Sequence, residues 1–261
     1  MKFSFGRNWE SFSATALTPE RIGEARRAFA LLTEQIDLAG KSFLDVGFGQ
    51  GLTLFLAAEA GAVVSGIDSD PRCEAAKNQT RRFFPQTAPP STRMTSILDE
   101  NFVRAQEALG GYDVVHSWGV LHHTGRMRRA FGNTARLVKP GGALIIAVYN
   151  RHWTSPLWKA VKVVYNHVPR PFQEALFWMV HGLSCLREPS LRKKRSAVLQ
   201  RGMAHAHDLR DWLGGYPYQY ASRNEVVDAF SPLGFDLLAF IPSRGWTGCN
   251  QYVFRRRQRR T

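Results

Sequence analysis

Residues Asp45-Val46-Gly47-Phe48-Gly49-Gln50-Gly51 set three glycines at alternate positions behind an acid. Glycines let a backbone bend sharply and let a ligand approach it closely. The dinucleotide-binding fingerprint needs its third glycine three positions beyond the second, and here Leu52 holds that position. A pyrophosphate favours helix N–H groups and their positive dipole, not a carboxylate at the loop entrance. A cationic ligand favours the reverse. Asp68 ends the next apolar run, where a carboxylate accepts two hydrogen bonds from ribose hydroxyls. Loop and acid together ask for a nucleoside without phosphates that carries an amino group or another positive charge.

These residues need elements to hold them. Thr18 to Ala39 reads as a helix, with Thr18 as cap and Pro19 at the first helical position. Lys41 to Gly47 is a short apolar run ending in glycine, hence a buried strand. Leu52 to Ala60 is helical, Ala62 to Ile67 a second strand, Pro71 to about Arg82 a polar helix, and Arg93 to Leu98 a third strand. A helix over Asn101 to Leu109 precedes a fourth strand, Tyr112 to Trp118. A helix from Met127 to Leu137 and a turn at Pro140-Gly141-Gly142 lead to a fifth strand, Ala143 to Tyr149. Strands alternating with helices at this spacing mean repeated βαβ units and a mainly parallel sheet.

After Asn150 the alternation stops. Leu157, Val161, Val164, Tyr165 and Val168 recur at helical spacing, with Lys159 and Lys162 elsewhere on the wheel. A second helix, Phe172 to Leu186, is apolar almost all round, and a basic segment and an aromatic stretch from Trp212 to Tyr220 follow. A helix from Ser222 to Phe230 and strands Phe235 to Ile241 and Gln251 to Arg255 resume the pattern. The chain divides into a leader and helix (1–40), a core (41–150), an insert (151–221) and a closing helix and strand pair with a basic tail (222–261).

A chain of 261 residues with 44% hydrophobic and 21% charged residues is of ordinary globular composition. No apolar run approaches the ~20 residues of a membrane-spanning helix, and the N-terminus does not read as a secretory signal. The three cysteines, Cys73, Cys185 and Cys249, form no CxxC spacing, which disfavours a disulfide framework or zinc ribbon and makes a reducing cytoplasm the expected setting. The net charge of +14 is concentrated. Arg192, Lys193, Lys194, Arg195 and Arg201 in the insert, and Arg255, Arg256, Arg257, Arg259 and Arg260 in the tail, supply ten of it. Such runs are solvated faces or hold nucleic acid, anionic lipid or a phosphorylated substrate.

The glycine loop, Ser117-Trp118-Gly119-Val120-Leu121-His122-His123-Thr124-Gly125 after the fourth strand, and Leu137-Val138-Lys139-Pro140-Gly141-Gly142 before the fifth stand in an order that resembles the class I S-adenosylmethionine-dependent methyltransferases. The narrower likeness is to the small-molecule branch that includes quinone-biosynthesis methylases. The resemblance covers Lys41 to about Asn150, with the last two strands as continuation. It implies an α/β, Rossmann-like, doubly wound, mainly parallel seven-stranded sheet with a helical insert forming a lid after the fifth strand. It implies S-adenosylmethionine as cofactor. Gly47, Gly49 and Gly51 would line its methionine part, Asp45 would hold the loop or the amino group through water, Asp68 would take the ribose, Ser96 and Ile97 would meet adenine, and Ser117 and Trp118 would flank the methionine part. Many family members carry an acid at the adenine position; this chain has Ser96, with Asp99 three residues on.

Methyl transfer is an in-line displacement, so the protein mainly aligns the reactants and keeps the site dry. A base matters where the acceptor is a phenol or enol. His122 and His123, after the fourth strand, and His152, after the fifth, are the imidazoles nearest the expected methyl position. They either serve as that base or pack and cap. Tyr149, Trp178, Tyr216 and Tyr218 are candidate acceptor contacts, and Tyr220 extends the same aromatic stretch. Phe5, Gly6, Asn8 and Trp9 are read as a flap over the cofactor. His205, His207, Asp208 and Asp211 offer metal-ligand types but no zinc spacing, so no metal is expected. The favoured reading is O- or C-methylation of a small lipophilic or aromatic acceptor by a cytoplasmic protein, with peripheral contact to anionic membrane through the basic insert. RNA methylation and non-catalytic cofactor binding are the alternatives; the Asn-Pro-Pro-Tyr type motif of base-amino methylases is missing, which disfavours nucleic acid.

Overall fold

A computed structural model describes residues 4–187, 205–243 and 248–258. Its sheet has seven strands in the order β3-β2-β1-β4-β5-β7-β6. These are β1 (Ser42–Val46), β2 (Val63–Asp68), β3 (Ser91–Met94), β4 (Tyr112–Trp118), β5 (Val138–Tyr149), β6 (Phe235–Ile241) and β7 (Cys249–Arg256). All neighbouring pairs are parallel except those of β7, which runs antiparallel to both β5 and β6. The strand order reverses between β1 and β4, so the crevice for a ligand opens at the carboxyl ends of these two strands.

Helices cover both faces. On one, α5 (Glu100–Ala108), α6 (Met127–Arg136) and α10 (Arg223–Phe230) enclose a core that includes Leu44, Phe102, Phe131, Ile146 and Phe230. On the other, α1 (Phe5–Thr15), α2 (Pro19–Thr33), α3 (Leu52–Glu59) and α4 (Arg72–Thr80) enclose Phe12, Phe29, Phe43, Phe55 and Ile145. β5 is buried on both faces, which is why its centre is a continuous apolar run. The start of α2 follows its sequence signals: the Thr18 hydroxyl accepts from the Arg21 N–H and Pro19 opens the helix. The helix ends at Thr33, short of Ala39. The third strand also differs from expectation, ending at Met94 rather than Leu98, because Asp99 caps α5 and Ile97 turns into the core.

The insert contributes α7 (Ser155–His167), α8 (Arg170–Arg187) and α9 (His205–Gly214). The apolar stripe of α7 predicts an inward face holding Leu157 and Val164, but both are exposed, at 61% and 55%. Tyr165 of the stripe is buried as expected and Val161 is partly buried, and Ser155, Lys162 and Asn166 point inward beside them. α7 lies against a small apolar cluster through Tyr165 and Val161 and against a polar and aromatic cluster through Lys162 and Asn166. Asn166 donates to the Gly214 carbonyl at 3.0 Å, and Trp158 packs on Trp212 at 4.4 Å. The basic run from Arg192 to Arg201 lies outside the described residues. In the tail, Arg255 donates to the carbonyls of Gly141 and Gln35, Arg256 to those of Ala135 and Val138, and Arg257 pairs with Asp236. These three arginines therefore tie the sheet edge together; Arg259 and Arg260 lie outside the described residues.

Candidate active site

The glycine loop folds over the end of β2: the Gly47 N–H donates to the Ile67 carbonyl at 2.7 Å. Gly47, Gly49 and Gly51 all have positive φ, at 77°, 55° and 75°. A Cβ on Gly47 would come within 2.3 Å of the Val120 side chain, and one on Gly49 within 3.0 Å of the Trp9 indole. Gly51 opens α3 in the left-handed conformation with no side-chain cap. Asp68, at the end of β2, accepts from the Gly49 N–H through one oxygen and the Asp70 N–H through the other, each at 3.0 Å. The Cys73 thiol and the Ser69 N–H also hydrogen-bond this carboxyl. Burial raises the Asp68 carboxyl above its ordinary range, which these donors oppose. A two-oxygen acceptor beside close-approach glycines fits a ribose, and the cation against Gly51, Lys77, is engaged with Glu74 and Thr92.

The other expected cofactor residues make hydrogen bonds within the protein or pack in its core. The Asp45 carboxylate is held at 2.7 Å by His116 on the neighbouring strand, with both side chains buried, so it braces the loop from beneath. Ser117 is turned to β1, where its hydroxyl donates to the Val46 carbonyl. The Trp118 indole N–H donates to Gln251. The Thr95 N–H bonds the Asp68 carbonyl, so Ser96 and Ile97 follow directly beside the ribose acid. The Ser96 hydroxyl accepts from the Leu98 N–H, and the Ile97 side chain is in the core. Asp99 is committed to capping α5 and to the Thr95 hydroxyl.

The leader is a helix, α1, lying across the loop. Ser4 caps it, and Asp70 accepts from the Gly6 N–H at 3.0 Å. Trp9 rests on Gly49, Phe5 packs on His123 with centroids 4.8 Å apart, and Asn8 donates to Asp211 at 2.8 Å and to the His207 carbonyl at 3.0 Å. α1 thus joins the loop, the turn after β4 and α9 of the insert.

At the carboxyl ends of β4 and β5 a buried cluster sits beside this cover. The His122 ring lies tilted against Tyr149 at 4.2 Å and edge-on to His123 at 4.3 Å, and Tyr149 lies 5.0 Å from Tyr218. His123 Nδ1 faces the Pro217 carbonyl at 2.7 Å, so that nitrogen carries the proton and Nε2 is the free lone pair. His122 Nδ1 accepts from the Tyr149 N–H. Burial, then neighbouring charge, holds His123 down at about 3 and His122 well below its ordinary value. Both imidazoles are neutral at pH 7 and weak as bases. Burial pushes the Tyr149 phenol well up and that of Tyr218 to about 12.

Lys162 completes the cluster. It is fully buried, and its ammonium lies 4.8 Å from the ring centroids of Trp212 and Tyr218 and 5.5 Å from that of Tyr149. Sequence reasoning missed it, since the wheel of α7 sets it off the apolar stripe; a lysine opposite exposed Leu157 and Val164 becomes legible only once the cluster is assembled. His152 is separate: its ring lies against Trp153 and its Nδ1 meets the Thr154 hydroxyl at 2.8 Å. Tyr216 is half-buried beside Pro217. Trp178 is 61% exposed on α8 and the fold does not bring it to the cluster. Among the described residues, no three metal-ligating side chains converge.

A family model described as a methyltransferase domain matches residues 19–232. A ubiquinone biosynthesis O-methyltransferase of Coxiella burnetii is 31% identical over 142 residues, covering 53% of this chain and 57% of that protein. Its namesake from Xanthomonas oryzae is 33% identical over 136 residues, covering 52% of each. The matched part thus spans about half the length of these curated relatives. Among solved structures, magnesium protoporphyrin IX methyltransferase from Synechocystis with bound S-adenosylhomocysteine superposes with a TM-score of 0.58 at 14% identity, covering 96% of this chain and 93% of that one. An N-methyltransferase from Bradyrhizobium japonicum superposes with a TM-score of 0.54 at 14% identity, covering 97% and 99%. At that identity these neighbours share the fold.

Proposed function

We propose that this chain, which belongs to the methyltransferase-domain family, transfers a methyl group from S-adenosylmethionine to a small lipophilic or aromatic acceptor, at oxygen or carbon. The observation that carries this is the placement of the glycine loop and Asp68 under α1, directly beside the aromatic cluster at the ends of β4 and β5. When bound, the cofactor supplies an electrophilic methyl on a sulfonium. Asp68 holds the ribose, the loop backbone receives the methionine part, and Asp45 with His116 stiffens the loop from below. α1 covers the loop and excludes water, and the rings of Tyr149 and Tyr218 face the acceptor. His122 and His123 act as neutral hydrogen-bond partners that orient it. The insert, residues 151–221, is the lid.

The O-methyltransferase relatives support oxygen as the accepting atom. Peripheral contact with anionic membrane belongs to the same reading, supported by the exposed Phe172, Trp178, Met179 and Leu183 of α8. RNA as acceptor is less favoured, since Arg255, Arg256 and Arg257 are engaged within the fold. The test is titration calorimetry with S-adenosylhomocysteine, followed by labelled cofactor with fractionated cell extract. Heat of binding and label in the small-molecule or lipid pool are expected. No binding, or label in RNA alone, would overturn the reading.

A further inference from the structure

Lys162 is the buried cation that the proposed chemistry has not used. Its ammonium nitrogen has no hydrogen-bond partner among the described residues. It has no carboxylate within 4.0 Å either, although Asp208 and Asp211 of α9 act on it through space. Three aromatic rings wall it in. Cation–π contact offsets part of the cost of burying an ammonium, but leaves its donors unfilled. Tyr218, one of the three walls, also lines a groove of about 550 Å³ between α6 and α7. That volume suits a small-molecule site. Around the groove stand Arg126, Arg128, Arg129, Arg151 and Lys159. Arg151 pairs with Glu225 and Arg129 reaches Glu100 at 3.9 Å. Arg126, Arg128 and Lys159 have no acid within reach among the described residues. The groove therefore attracts an anion, and Tyr218 is the residue it shares with the aromatic cage around Lys162.

We propose that Lys162 is the acceptor-binding residue for a phenolic oxygen: the acceptor is a planar aromatic ring bearing an acidic hydroxyl, stacked among Tyr149, Tyr218 and Trp212 with that oxygen on the Lys162 nitrogen. The acceptor O–H bond breaks and an N–H bond forms on the neutral amine, leaving a phenolate paired with an ammonium. Burial lowers the Lys162 ammonium to about 7, so the neutral amine is populated near neutrality. The titratable groups that act on it are Asp211, Cys249 and Asp208, with His122, His123, Tyr149 and Tyr218 beside it. The two imidazoles are too weakly basic to compete for the proton. This rests on the methyl-transfer reading and names its acceptor class.

The test uses nitrocatechol, a planar probe whose ionised form is coloured, with its neutral dimethyl ether as control. Both are titrated into the full chain, with and without S-adenosylhomocysteine, below the pH at which the free probe ionises. The wild type should bind nitrocatechol in its coloured, ionised form and bind the ether at least about tenfold more weakly, as loss of a charge-assisted hydrogen bond requires. Lys162→Met should lose the colour and at least about tenfold in probe affinity, while Lys162→Arg keeps the colour. S-adenosylhomocysteine affinity should be unchanged in both. Equal binding of probe and ether by the wild type, or full colour in folded Lys162→Met, overturns the proposal. The ether comparison decides the matter alone if Lys162→Met does not fold. Lysine-dependent colour without any S-adenosylhomocysteine binding would sink the methyl-transfer reading and leave the phenolate site standing.

Discussion

The Asn8 side-chain amide donates to the Asp211 carboxylate at 2.8 Å, fastening the leader helix to the insert directly above the glycine loop. Burial raises the Asp211 carboxyl well above its ordinary range, and the Asn8 bond opposes that shift. The same amide reaches the His207 carbonyl, so one side chain secures the cover to α9 twice. Asn8→Ala removes both bonds and leaves a half-buried acceptor unpaired, a cost of ~1–3 kcal/mol. It should weaken S-adenosylhomocysteine about tenfold by calorimetry and speed proteolysis within α1. Unchanged affinity would mean that α1 does not close on the cofactor.

The glycine loop gives a sharper test. Gly49→Val sets a branched side chain at φ 55° and drives it into the Trp9 indole. Cofactor binding should be abolished. Asp68→Ala should weaken it by ~1–3 kcal/mol, the scale for lost hydrogen bonds to a charged group. The fold should survive Asp68→Ala, so circular dichroism and calorimetry separate the two effects.

Lys162 also makes a stability prediction that needs no ligand. Its ammonium falls from 10.5 to about 7 on folding because burial disfavours the charged form. Below about pH 7 both folded and unfolded chains hold the proton, and the burial cost is present in full. Between the two values only the unfolded chain holds it, so wild-type stability rises with pH across that window. Lys162→Met should therefore raise the melting temperature most at about pH 6, by ~1–4 kcal/mol in stability, with the gain shrinking towards about pH 9. A gain independent of pH would show that the lysine is not buried as a cation.

The tail arginines should behave as structural residues. Arg256 donates to the carbonyls of Ala135, in the last turn of α6, and Val138, which opens β5, and so ties the two elements to β7. Arg256→Ala should lower the urea midpoint, at a cost of ~1–3 kcal/mol. A loss of RNA binding with undiminished stability would instead favour the nucleic-acid reading.

The parts of this site that were legible in the sequence are those built from local chemistry. Gly47, Gly49, Gly51 and Asp68 stand where alternating elements and turn residues place them, and the bounds of β4 and β6 follow from their apolar runs. What stayed hidden depends on contacts between distant segments. Asp45 offers two roles in the sequence, holding the loop or the amino group, and its partner His116 is brought beside it only by the β1–β4 register. The third strand ended early because Asp99 competes for the chain as a helix cap. The stripe of α7 is only half buried, Tyr165 and Val161 inward and Leu157 and Val164 exposed, because part of the inward face is set by polar and aromatic partners from distant segments. Here Tyr149, Trp212 and Tyr218, from three separate segments, make a surface that takes the lysine instead.

The buried lysine changes which aromatic residues should matter to the acceptor. Trp178 is exposed on α8, touching Phe177 and His181, and is remote from the cluster by burial and by ring contacts. Trp178→Asp should leave turnover of a soluble acceptor within about threefold, under 1 kcal/mol of barrier. It should reduce co-sedimentation with anionic vesicles if α8 is the membrane face. Tyr218 is buried, packs on Tyr149 at 5.0 Å and lines the groove. Tyr218→Ala opens one wall of the lysine cage and should cut acceptor use by at least about tenfold, since a lost aromatic contact and cation–π partner together reach ~1–3 kcal/mol. S-adenosylhomocysteine affinity should hold in both variants. If Trp178→Asp loses soluble-acceptor turnover and Tyr218→Ala retains it, the acceptor enters from the α8 side and the groove beside α6 has another use.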